Sequence, residues 1–220
     1  MNNPGLNNKK TENELKSILF IQSSPRGLES YSYKVAKLIV DGFKAKNPDA
    51  KLVRRNLAEE PPPHVDSAFV GALFVRPEQR TPQQANSLAL SDALIDELIA
   101  ADTIVIAIAV HNFGIPSTLK AWIDHVVRAG RTFAFSQNGP QGLVKDRRAV
   151  LVLASGGVFS DGPAKSFDFH EPYLRAILGF IGIVNVEVVR VEGVAVSAIG
   201  AESAVARGLV RAKEVVAQAA

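Results

Sequence analysis

Along the 220-residue chain, the spacing of apolar residues switches repeatedly between two periods. Ser17–Gln22 (SILFIQ), Thr103–Val110 (TIVIAIAV) and the run RRAVLVLAS are short and continuously apolar, as strands buried on both faces require. KLVRRNL alternates and reads as an outer strand, and VNVEVVRVEG supplies a fifth. The intervening segments carry helical spacing. YSYKVAKLIVDGFKAK sets Val35, Leu38, Ile39 and Phe43 on one face, and a long helix is expected from about Pro82 to Ala100 with Leu88, Leu94, Ile95 and Leu98 inward. PSTLKAWIDHVVRAG opens with Pro116 and closes at Gly130, the usual asymmetry of helix ends. EPYLRAILGFIG and an Ala-rich C-terminal segment complete the alternation.

Five strands alternating with helices predict an α/β fold with a five-stranded parallel sheet and helices on both faces, a three-layer sandwich. AEEPPPHVD must be a loop, because three prolines interrupt any ladder. PPPHVDSAFVGALFVRPEQ and TFAFSQNGPQGL read as irregular excursions from the sheet, where function tends to reside. One domain is expected from Ser17 to Ala220, without an internal repeat. Residues 1–16 read as a disordered polar extension with none of the apolar centre of a signal peptide.

Hydrophobic residues make up 47% of the chain and charged residues 21%, an ordinary soluble composition. The formal net charge is +3, and the densest basic run is only Lys145 to Arg148, which argues against nucleic acid. The absence of cysteine excludes disulfides, thiolate metal sites and a cysteine nucleophile. No apolar run reaches the length of a membrane span, so a cytoplasmic protein without a membrane partner is expected.

Candidate chemistry collects where the strands end. In an open parallel sheet, ligands sit beyond the carboxyl ends of the strands. The first strand runs into Ser23-Ser24, and the next helix begins at Ser30-Tyr31-Ser32. Hydroxyls beside the free amides of a helix N-terminus suit a phosphate, although Ser30 would equally serve as a plain helix cap. VHNFGIP follows the third apolar strand and ASGGVFSDGP the fourth. Each alone is ordinary turn chemistry, but three such loops on one edge suit a phosphate joined to a flat heterocycle. There is no GxxxxGK[ST] and no GxGxxG, so neither ATP cleavage nor a dinucleotide fingerprint is indicated. FMN fits this pattern.

With these residues the chain resembles the FMN-dependent NADH:quinone and azo-compound reductases of the flavodoxin-like fold, over all but the leading extension. NFGIPSTLKAWIDHVVRAGRTF, NGPQGL and PYLRAILGFIGI, in that order, carry the likeness. The resemblance implies that Ser24, Ser30, Tyr31 and Ser32 hold the FMN phosphate and ribityl end. It implies that Val110, His111, Asn112 and Phe113 line the isoalloxazine, and that Ala154, Ser155, Gly156 and Gly157 offer backbone contacts to its other edge. It further implies a homodimer, to which Phe133, Phe167 and Phe169 contribute, and a ping-pong reaction in which NADH or NADPH reduces the flavin and a quinone, azo or nitroaromatic compound reoxidises it. Many relatives carry Tyr or Trp at the position of His111, often after Met where this chain has Val110, and Arg at that of Ser155.

No catalytic acid is assigned, since the flavin carries the chemistry; His111 is a possible flavin or substrate contact. Of the other histidines, His64 reads as solvated, His125 as helix packing or surface, and His170 as a cap or a neighbour of the site. No pair has metal-ligand spacing, so no metal is expected. Trp122 reads as core or dimer packing, and Asp124 with Arg128 as an i,i+4 pair. A non-catalytic redox sensor or electron carrier, or a phosphoester hydrolase using the same cradle, are the competing readings.

Overall fold

The computed structural model describes residues 15–218. Its strands are β1 Ser17–Gln22, β2 Lys51–Asn56, β3 Thr103–Ala109, β4 Phe133–Ser136, β5 Gly139–Gly142, β6 Arg148–Ser155 and β7 Asn185–Glu192. Its helices are α1 Tyr31–Lys46, α2 Ser67–Leu73, α3 Pro82–Ala100, α4 Ser117–Val126, α5 Glu171–Ile181 and α6 Ala201–Gln218. Five strands pair in parallel in the order β2-β1-β3-β6-β7, while β4 and β5 form a separate antiparallel pair. Counted along the main sheet this is the 2-1-3-4-5 order of flavodoxin-like folds, and the switch in strand order falls between β1 and β3.

The period-2 pattern divides the core between the two faces. From β3, Ile104, Ile106 and Ile108 pack with α3, α4 and α5, whereas Val105 and Ala107 pack with α1 and α6. Each fully buried isoleucine contributes about 1.5–3 kcal/mol. Trp122 lies in the first of these layers, as core packing requires. Thr81 closes a capping box with Gln84 at the start of α3, the helix start expected at Thr81-Pro82.

Three expectations are corrected. The excursion before α3 contains α2, capped by Asp66 Oδ1, which accepts from the Phe69 amide at 2.8 Å. TFAFSQNGPQGL folds as the β4–β5 hairpin. Helix α4 ends at Val126, so Asp124 and Arg128 do not share a helix face: Asp124 takes Lys120, and Arg128, 4% exposed, donates to Ser91 and Asp92 on α3. Gly130, at φ +76°, instead closes the following turn, its amide donating to the Phe133 carbonyl. Of the expected extension, residues 1–14 lie outside the described residues. Lys16 is tied to Asp102 and Lys51 by its backbone, and Leu15 packs against the α1–α6 side of the core. Among the described residues, no helix is long and apolar enough to cross a membrane.

Candidate functional site

The loops after β1, β3, β6 and β7 meet in one cleft of about 150 Å³. Eight of the twelve residues singled out from the sequence line it: Ser24, Ser30, Tyr31, Val110, His111, Ala154, Ser155 and Gly156. Sheet topology explains the convergence. Loops of β1, β3 and β6 are distant in sequence, yet these strands are direct neighbours and end at the same edge.

At one end of the cleft lies the start of α1. Ser23 Oγ donates to the Ala107 carbonyl at 3.1 Å, fastening this loop to β3. The Arg26 amide donates to Ser24 Oγ at 3.3 Å, and the Gly27 amide to the Ser24 carbonyl at 3.2 Å, folding the chain back towards Ser30. Ser30 caps α1, accepting from the Tyr33 amide at 3.5 Å, so the capping reading of this serine is correct as far as it goes. That bond is long, and the hydroxyl keeps capacity for another partner. Ser32 stands behind it, fully buried, with its Oγ 3.0 Å from that of Ser30; it supports the cap and does not line the cleft. The amides of Tyr31 and Ser32 open the helix without an i−4 carbonyl in it.

The middle of the cleft is the turn after β3. The His111 and Gly114 backbones exchange hydrogen bonds at 3.0 and 2.9 Å, which leaves Asn112 and Phe113 as the two central residues at φ 47° and 68°. Two consecutive left-handed residues other than glycine are uncommon, and a bulky Phe there is strained. The turn presents His111 to the cleft, whereas Asn112 and Phe113 are not among the residues that line it. Phe113, 48% exposed, packs against Phe159 and Phe167 at ring distances of 6.0 and 5.2 Å.

The far wall is the loop after β6. The Ser155 hydroxyl donates to the Gly157 carbonyl at 2.8 Å, so its proton is spent within the loop. Carbonyls of Ser155, Gly156 and Gly157 accept from the amides of Gly193, Val194 and Ala195, stitching the wall to the loop after β7. No described residue accepts from the amides of Gly156 and Gly157.

Three lining residues escaped the sequence reading: Arg26, Val194 and Ala109, the last residue of β3. Arg26 lies over the Tyr31 ring, 4.8 Å from its centroid, beside the serines. It was legible as the one cation of the β1–α1 loop. Val194 enters from the β7–α6 loop, which the rule of strand carboxyl ends should have included. Of the remaining histidines, His64 is exposed; His125 is buried, with Nε2 2.9 Å from the Pro63 carbonyl oxygen. His170 is buried just ahead of α5.

Hydroxyls, a guanidinium and unpaired amides at the start of a helix, joined to a slot walled by backbone, suit a mononucleotide with a phosphate at one end and a flat ring at the other. Comparison with known proteins agrees with that class. The sequence pattern defining the flavodoxin-like fold matches residues 16–216. The chain is 44% identical to the FMN-dependent NADH:quinone oxidoreductase of Mesorhizobium japonicum, over 91% of this chain and 96% of that one. It is 51% identical to the protein of the same name from Beijerinckia indica, over 81% and 89% respectively. A solved FMN-dependent NADH-azoreductase of Bacillus anthracis, in complex with FMN, superposes with a TM-score of 0.84 at 26% identity, covering 93% of this chain and 99% of that one. The chain therefore belongs to the FMN-dependent NADH:quinone oxidoreductase family of flavodoxin-like proteins.

Proposed function

We propose that this protein is an FMN-dependent NADH:quinone oxidoreductase that also reduces azo compounds, with the flavin held in the cleft at the carboxyl ends of β1, β3 and β6. The observation that carries the reading is the donor set at the start of α1. Ser24, Ser30, Arg26 and the Tyr31 and Ser32 amides form a dianion site without a carboxylate in the first turn of the helix. Ser32 acts behind Ser30, orienting its hydroxyl.

His111 and Val110 border the ring's place on one side, and the backbone of Ala154, Ser155 and Gly156 on the other. Gly157 adds an amide at the end of that wall, and Asn112 and Phe113 shape the rim. Bound there, FMN supplies two-electron redox chemistry, accepting reducing equivalents from NADH or NADPH and returning them to a quinone, azo or nitroaromatic acceptor. The protein's own part is electrostatic and positional. The free amides of the loop after β6 would favour a bound form that carries negative charge, and no side chain needs to act as a nucleophile.

The catalytic unit spans Ser17 to Ala220. It works as a cytoplasmic homodimer to whose contact the exposed aromatics Phe167 and Phe169 contribute, together with Phe133 of β4.

The test is an anaerobic absorbance titration of FMN-reconstituted protein with NADH, then addition of benzoquinone. The expected result is bleaching by NADH and rapid recovery with quinone. Tight FMN binding without bleaching by NADH or NADPH would identify a carrier or sensor, and failure to bind FMN would overturn the assignment of the cleft.

A further inference from the structure

His170 immediately precedes α5, outside the cleft lining, and its side chain is 0% exposed. Buried imidazole nitrogens are ordinarily both partnered. Here neither nitrogen has a partner in good hydrogen-bonding geometry.

Two acceptors nevertheless face the ring. Nδ1 stands 3.2 Å from Asp168 Oδ1, and the backbone carbonyl of Phe113 addresses the ring from the turn after β3. Asp168 is already engaged, with Oδ1 accepting from the Glu171 amide at 3.0 Å and Oδ2 from Arg190 at 2.7 Å. The Phe113 carbonyl takes no other donor among the described residues. A neutral imidazole has one N–H and serves one acceptor, whereas the imidazolium has two and serves both.

What hangs on this choice is the strained turn. Phe113 occupies the left-handed region, and the same turn carries His111 into the cleft. Phe159 packs edge-on against both the Phe113 and His170 rings, at 6.0 and 5.6 Å, so the three side chains form one continuous stack behind the site.

We infer that His170 is a positioning residue for the Val110–Gly114 turn, and that its protonation, by pinning the Phe113 carbonyl and Asp168 together, tightens FMN binding without touching the cofactor. The inference rests on the reading of the cleft as the FMN site.

The groups facing the ring set where it titrates. Burial acts first and holds the imidazole below its ordinary value. Asp168 and the Phe113 carbonyl oppose this, Arg190 on β7 reinforces it, and Glu192 on β7 opposes it more weakly. Glu171 is spent on Arg190 and Arg175. The second contact is therefore absent at neutral pH and forms only as the pH falls through the folded value, which burial holds below the ordinary one. Linkage makes the effect reciprocal: bound FMN must raise the pKa of His170 by the same factor by which protonation raises the affinity.

The experiment is FMN affinity by quenching of flavin fluorescence from pH 8 to pH 5, on the full chain and on His170→Gln, which keeps an N–H donor and does not titrate. The substitution also subtracts the ionisation of the FMN phosphate, common to both proteins. The affinity of the wild type should rise relative to the variant by about fivefold or more, the low end of ordinary site-to-site coupling. Superimposable profiles would overturn the inference. Should the variant fail to fold, the wild type alone decides, through the His170 imidazole resonance titrated with and without FMN. An upward pKa shift on binding supports the inference and an unchanged pKa overturns it. Absence of FMN binding by the wild type at every pH would instead overturn the assignment of the cleft.

Discussion

Ser30 does two jobs at the scale of a single residue, and they separate experimentally. As a helix cap it makes one long bond to the Tyr33 amide, so Ser30→Ala should cost only about 0.5 kcal/mol, the low end for a lost cap. As a phosphate ligand it offers a hydroxyl to a dianion, an interaction worth about 1.5–3 kcal/mol. The expected outcome is a melting temperature lowered by about 1–2 °C with FMN affinity lowered about tenfold or more. Equal FMN affinity in wild type and variant would leave the serine a cap and nothing else. His170 carries a second residue-scale prediction, on stability rather than affinity. Its imidazole is held low by burial, so between its folded value and about 6.5 the unfolded chain binds a proton that the native chain does not. Stability is then complete above that window and falls as the pH drops into it. Melting curves of the FMN-free protein from pH 8 to pH 5.5 should decline more steeply for the wild type than for His170→Gln; parallel declines would show that other groups dominate acid unfolding.

Elements differ in how plainly they are written in the chain. The strands of the main sheet were legible because β1, β3 and β6 are unbroken apolar runs, and α1 and α3 because their inward residues recur at helical spacing. Helix α2 was not, because only Phe69 and Ala72 of its seven residues are buried and Gly71 weakens its propensity. Its signal was the capping Asp66 rather than any periodicity. The β4–β5 hairpin hid for a related reason: its strands are four residues each, one contains Pro140 and two glycines, and neither buries a complete face. The cleft was legible loop by loop through strand ends; Arg26, the one cation of the β1–α1 loop, and Val194, just past the end of β7, were open to the same rule. The meeting of the four loops in one cleft depends instead on the order of strands in the sheet, which a single sequence does not state. The hairpin is nevertheless docked tightly. A Cβ at Gly142 would stand 2.2 Å from Gly182 N and 2.3 Å from Ile181 C, both backbone atoms that cannot rotate aside. Gly142→Ala should therefore lift the hairpin from the end of α5 and lower stability by about 2–3 kcal/mol, or about 5–10 °C in melting temperature. Gly71→Ala on α2, where a Cβ would meet nothing within 4 Å, should be neutral or stabilise by up to about 1 kcal/mol. Equal effects from the two substitutions would refute the steric argument.

For the whole molecule, the distribution of surface charge and apolar side chains bears on how copies associate. The open edges of the sheet are β2, which carries Lys51, Arg54 and Arg55, and β7, which carries Glu187, Arg190 and Glu192. Charged edges disfavour strand-to-strand pairing between copies. Apolar surface is instead displayed by the loop that follows β6, where Phe167 is 47% and Phe169 60% exposed, beside Phe113 at the rim of the cleft. An exposed aromatic cluster next to a ligand cleft is the kind of patch that a partner covers, and it suits the proposed homodimer, in which each copy would complete the surroundings of the other's site. Sedimentation equilibrium should return twice the chain mass of 23.6 kDa for the wild type. Phe169→Asp removes apolar area from a 60% exposed side chain whose ring packs on no other aromatic ring among the described residues, so the fold should hold, with a melting temperature close to that of the wild type under dilute, monomeric conditions. The variant should sediment as a monomer and bind FMN more weakly than the wild type at the same protein concentration. A dimeric Phe169→Asp would move the contact elsewhere on the surface, and a monomeric wild type would remove the homodimer altogether. If the variant is monomeric yet binds FMN as tightly as the wild type, each cleft is complete within one chain, and association serves the acceptor rather than the flavin.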